Sequence, residues 1–166
     1  MKNLLILLFL LSAMSMKSQK KLLSIYGQDT SKANIALDTN LIHTLLIEAN
    51  KYIGTKHKMS GLTKKGIDCS GLICVSFKEL GLELPHSANG QAFYGESVLD
   101  IDSLQKGDLV FFTATYKSNH YITHVGIYLN EGMFIHTSSS KGVILTNLLV
   151  SSYWKPKFVF AKRLFG

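Results

Sequence analysis

The sequence predicts an α+β domain, with N-terminal helices packed on an antiparallel sheet. Three observations carry that reading. Apolar residues recur at helical spacing up to about residue 80. Beyond residue 107 the apolar period changes to two. The late segments are joined by short turns that suit antiparallel neighbours, Asn130-Glu131-Gly132 being the clearest.

The chain opens on Lys2, an unbroken apolar run from Leu4 to Leu11, and small residues at Ala13, Ser15 and Ser18. Residues 1–18 therefore read as a secretory signal peptide, and the run is too short to span a bilayer as a helix. Export to the periplasm or the outside of the cell is expected, with no stable membrane insertion after cleavage. No cysteine stands near the cleavage region to carry a lipid. Residues 19–38 are polar and mixed and read as a linker or loosely ordered segment, which leaves 39–166 as one domain with a core of its own.

Within that domain Leu41, Leu45, Leu46, Ala49, Tyr52 and Ile53 fall on one helical face, with Asn40 as N-cap and Gly54 as stop. Residues 55–67 are rich in Gly, Lys, Ser and Thr and read as a loop. Asp68 caps a second helix that runs to Leu80 and ends at Gly81. Ser87 caps a short third helix through Gln91 towards Tyr94. Strands follow at 108–113, 124–129, 133–137, 143–146 and 159–164.

Two cysteines, Cys69 and Cys74, lie five apart on the second helix and point to different faces, so a disulfide would require the helix to break. Cys74 sits among Leu72, Ile73, Val75 and Phe77 and reads as core. Cys69 follows the cap, where unpaired backbone N–H groups and the positive helix end favour a thiolate and predict a lowered pKa. Its own N–H is placed to help hold an oxyanion, and Gly71 keeps that turn small. His124 and His136 flank the hairpin turn with a parity that puts both on one sheet face, opposite or one pair offset. His124 can then take the Cys69 proton while His136 holds its ring in one tautomer. A thiol and two imidazoles so arranged are the kit of a cysteine hydrolase. The same three side chains are zinc-ligand types, but close ligand pairs are missing, and neither metal nor cofactor is expected. Net charge is +7, falling to +5 once Lys2 and Lys17 leave with residues 1–18. The scattered basic residues suit solubility or a polyanionic surface and point away from nucleic acid.

Several stretches then carry a resemblance in the same order along the chain. They are Gly66-Ile67-Asp68-Cys69-Ser70-Gly71-Leu72, Leu84-Pro85, Leu104 to Phe112, His124-Val125-Gly126-Ile127-Tyr128 and Phe134-Ile135-His136. From residue 41 to 166 the chain resembles the NlpC-type cell-wall cysteine peptidases. Lys64 to Gly71, Ser139 to Ile144 and Tyr153-Trp154-Lys155 are similar to the Spr-type murein endopeptidases of that family. The resemblance implies a papain-like minimal cysteine peptidase fold. It makes Cys69 the nucleophile, His124 the general base and His136 the third polar residue. Its implied substrate is the stem peptide of peptidoglycan, cut through a thioester; the exported chain is expected to be a monomer. Asp68 and Ser70 stand where some members bind the substrate peptide. His57, in Gly54-Thr55-Lys56-His57, stands where the family has a tyrosine that shapes the oxyanion site; either its ring donates there instead or the site is altered. Ser60-Gly61 replaces Gly-Gly, and His86 replaces the arginine after Leu-Pro. A non-hydrolytic wall-binding domain and an acyltransferase using the same thioester are the alternatives on this scaffold.

Overall fold

A computed structural model describes residues 30–165. The residues from Asn40 onward form one compact unit. The expected signal peptide, with the linker up to residue 29, lies outside the described residues. Helix α1 spans Thr30–Asn50, so Asn40 lies inside it and caps nothing. The Asn40 carbonyl instead accepts a hydrogen bond from Thr44 Oγ1 at 2.9 Å. Residues 30–38, read from sequence as linker, are helical, because that stretch holds neither Gly nor Pro to stop a helix. Gly54, at φ +82°, takes the left-handed conformation that ends the following turns.

The presumed loop 55–67 contains a small hairpin of β1 (Leu62–Thr63) and β2 (Gly66–Ile67), turned through Lys64-Lys65. Helix α2 (Cys69–Lys78) and the short α3 (Ala88–Gln91) follow, each with its expected cap. Six strands form one antiparallel sheet: β3 (Glu96–Val98), β4 (Leu109–Thr113), β5 (Ile122–Asn130), β6 (Met133–Ser138), β7 (Gly142–Asn147) and β8 (Phe158–Arg163). Their order is β3-β8-β4-β5-β6-β7, so the last strand returns to lie between β3 and β4. The class is α+β, as the change of period predicts. Strand β3 carries too short a pattern to be seen in sequence and forms because β8 offers it an edge.

Both faces of the sheet are buried. One packs Leu109, Phe111, Val125, Ile127 and Ile135 against Leu45, Leu46 and Ala49 of α1 and Leu72, Ile73 and Phe77 of α2. The other packs Val110, Phe112, Tyr128, Phe134 and Ala161 under Trp154 and Phe158. This is why β4 reads as a continuous apolar run rather than an alternation. Asp108, 1% exposed, takes two hydrogen bonds from Arg163 at 2.9 and 2.8 Å and so fastens β8 beside β4.

Candidate active site

The nucleophile's helix is set from its first turn. Asp68 Oδ1 accepts from Gly71 N at 2.6 Å and from Ser70 Oγ at 3.0 Å, and lies 3.0 Å from His86 Nε2. Gly71 has to be glycine: a Cβ there would run into the Gly61 carbonyl oxygen and come within 3.1 Å of Asp68 Oδ1 and His86 Nε2. Thr137 Oγ1 donates to the Asp68 carbonyl at 3.2 Å, which ties β6 to the start of α2. Buried Gln91 donates to Ser70 O at 3.0 Å and Pro85 O at 2.9 Å, binding α3 to the same turn. Nothing in the sequence alone marks Gln91 for this, since its partners are backbone carbonyls of distant segments.

The histidines arrive by register. Strands β5 and β6 pair Ile127↔Ile135, Tyr128↔Phe134 and Asn130↔Met133, with a bulge between Tyr128 and Asn130. Continued, that register sets His136 across from Gly126 and one pair away from His124, on the same face. The rings meet, His124 Nε2 and His136 Nδ1 lying 3.0 Å apart. His136 Nε2 lies 3.0 Å from Thr146 Oγ1 on β7. Gly126 makes room for the β6 residues opposite it; a Cβ there would stand 2.7 Å from the Phe134 ring and 3.1 Å from His136 Cβ. Trp154 closes over the pair, with ring centroids 4.7 Å from His124 and 4.6 Å from His136. Sequence reading missed Thr146 and Trp154, whose places depend on the register of β7 and the path of the loop after it.

These groups share one cleft of about 690 Å³. Cys69, His124, His136, Asp68, Ser70 and His57 all line it. His57 reaches it because its backbone bridges Ile67, two residues before Cys69. Five of the chain's six histidines lie on this wall, so proximity alone selects no pair; the ring-to-ring bond singles out His124 and His136.

The electrostatics correct one expectation. The Cys69 thiol is not lowered by its helix start. Burial, with the Asp68 carboxylate beside it, pushes it up to about 11, against backbone hydrogen bonds from Val125, Ser70 and its own N–H. The helix-end effect is worth a kcal/mol or so at an exposed site and loses to desolvation here. His124 is held well below the usual imidazole range by burial, then by His136 and His57. Burial alone brings His136 down to about 3. The resting site is therefore neutral, a thiol beside two uncharged imidazoles.

A family model described as the NlpC/P60 family matches residues 54–163. The chain is similar to the gamma-DL-glutamyl hydrolase of Bacillus subtilis (strain 168), 36% identical over 135 residues, covering 81% of this chain and 32% of that protein. It is also 36% identical over 147 residues to the murein DD-endopeptidase MepS/murein LD-carboxypeptidase of Escherichia coli (strain K12), covering 83% of this chain and 75% of that one. Among solved structures, a protein of the NLP/P60 family from Staphylococcus aureus superposes with a TM-score of 0.68 at 32% identity, covering 76% of this chain and 42% of that one. The chain thus spans about a third of the first relative, three quarters of the second and less than half of the third.

Proposed function

The chain belongs to the NlpC/P60 family, and from that footing we propose that it is an exported peptidoglycan endopeptidase that hydrolyses stem-peptide bonds through Cys69, His124 and His136. The observation that carries this reading is the hydrogen bond between His124 Nε2 and His136 Nδ1 at 3.0 Å, in the cleft that Cys69 lines. It gives the base a fixed ring and leaves His124 Nδ1 as its working nitrogen.

Because the resting thiol is neutral, proton transfer belongs to the attack itself. His124 Nδ1 takes the Cys69 proton as the sulfur adds to the scissile carbonyl, and the oxyanion is held by the Cys69 N–H and the His57 ring. The imidazolium then gives its proton to the leaving amine, and a thioester remains. Water attacks the thioester, His124 takes one of its protons, and the thiolate leaves and recovers that proton. Asp68 uses Oδ1 for its three partners within the protein, and Oδ2 takes part in none of those bonds, which suits it to a substrate ammonium.

Identification by mass spectrometry of the fragments released from purified sacculi tests this. Wild type should release water-terminated stem-peptide fragments, whose masses name the bond cut, and Cys69→Ala should release none. Equal release from both proteins defeats the reading. A fragment joined to an acceptor amine would make the protein an acyltransferase instead.

A further inference from the structure

The bond between the two histidines leaves a question that the pair cannot answer. Only one proton fits between nitrogens 3.0 Å apart, and it can sit on either ring. With the proton on His124 Nε2, Nδ1 of His124 is bare and can accept from Cys69. With the proton on His136 Nδ1, a neutral His124 carries its own on Nδ1 and cannot serve as a base there. The proposed catalysis needs the first arrangement.

The working arrangement makes a demand at the far side of His136. In the first arrangement His136 keeps its single proton on Nε2 and must find an acceptor for it. His136 is fully buried, so water does not reach the ring. The group that meets Nε2 is the Thr146 hydroxyl, at 3.0 Å. Thr146 also lines the cleft, so its own hydrogen can turn to solvent while a lone pair faces the ring. Strand β7 fixes this contact by pairing Phe134↔Thr146 and His136↔Ile144, which sets Thr146 diagonally from His136.

We propose that Thr146 is a positioning residue of the active site: its hydroxyl accepts the His136 Nε2–H and thereby supports the tautomer of both imidazoles that leaves His124 Nδ1 free to take the Cys69 proton. The chain of donors then runs one way, from His124 Nε2–H to His136 Nδ1 and from His136 Nε2–H to Thr146 Oγ1. When His124 becomes an imidazolium its Nε2–H is already in place, so no proton has to move beyond His124 during attack. A methyl in place of the hydroxyl removes this acceptor. His136 Nε2–H would then face an apolar group, a buried donor without partner, and the pair loses its preference for the working arrangement.

This inference rests on the proposed Cys-His-His reading, and its test keeps the two apart. Thr146→Val conserves shape and deletes the hydroxyl; Thr146→Ser keeps the hydroxyl. In wild type with 15N-labelled histidine, NMR should show His136 protonated at Nε2 and not at Nδ1. Thr146→Val should lose that single tautomer and lower kcat for fragment release by roughly 10- to 100-fold with KM little changed. Thr146→Ser should restore both. Wild-type tautomers and wild-type kcat in a folded Thr146→Val would overturn the inference. So would a His136 protonated at Nδ1 in the wild type. The spectra report on Thr146 whether or not Cys69→Ala abolishes release, so failure of the enzyme reading is seen separately.

Discussion

The behaviour of Cys69 decides how the site is fired. A thiol lifted to about 11 by burial and by Asp68 carries little thiolate at neutral pH, and a His124 held well below its usual range carries little proton. Neither group ionises alone without cost, because each would place an unpaired charge in a poorly solvated pocket. Reaction with iodoacetamide separates this state from a standing thiolate–imidazolium pair. The alkylation rate of Cys69, followed by mass spectrometry, should keep rising from pH 6 to pH 9, about tenfold per unit where ionisation limits it. A rate flat across that range would mean that the thiolate is already formed. At this scale the sequence shows which residue types meet, since Cys69, His124 and His136 follow from a cap and a strand parity. It does not show their protonation, which depends on how deeply Trp154 and the sheet bury them.

The β5–β6 hairpin is the element that brings the base and its partner together. Its turn is tighter than sequence suggests, closing on Asn130↔Met133 with Glu131 and Gly132 as the two turn residues. Both take positive φ, 50° at Glu131 and 80° at Gly132, the combination that type I′ turns demand. Glycine accepts this freely, whereas glutamate is strained by its Cβ. Glu131→Asn supplies the residue that best tolerates the conformation. The substitution should stabilise the protein by about 0.5–1 kcal/mol, seen as a higher urea midpoint with an unchanged slope. Activity should not change, since the turn lies at the end of the strands. A midpoint equal to or below that of wild type would show that Glu131 is not strained there. The same hairpin marks how far sequence reading reaches among elements. Strong local signals located α2, α3 and the strands that carry the histidines: Asp68, Ser87, Gly81 and the alternating pattern. The β1–β2 hairpin and β3 stayed hidden, because their pairing is decided by segments far along the chain, such as β8 for β3.

Across the whole molecule, the two buried imidazoles couple the active site to global stability. His136 is fully buried and His124 is 7% exposed, so solvent screens neither appreciably. In the unfolded chain each titrates near 6.5, while in the fold His136 is brought down to about 3 and His124 well below 6.5. Above pH 6.5 both states hold the rings neutral and the full stability is present. Below it the unfolded chain binds protons that the folded chain refuses, so stability falls as pH falls, approaching about 1.4 kcal/mol per unit for His136, with His124 acting in the same direction. His136 alone removes about 1.7 kcal/mol between pH 6.5 and 5, and His124 acts in the same direction, against the 5–15 kcal/mol typical of a domain. Acid acts on other groups of the chain as well, so the histidine part is read as a difference. His136→Asn removes one refusing ring and keeps a polar, neutral side chain. Measured by urea unfolding at pH 7, 6 and 5, the wild type's advantage over His136→Asn should shrink by about 1.4 kcal/mol for each unit below 6.5. The variant should therefore lose less stability on acidification than the wild type, whichever is more stable at pH 7. Parallel curves would mean that His136 accepts a proton inside the fold as easily as outside. The neutral relay from His124 to Thr146 would then fail below about pH 6.5, since a doubly protonated His136 has no bare nitrogen left to receive the His124 Nε2–H.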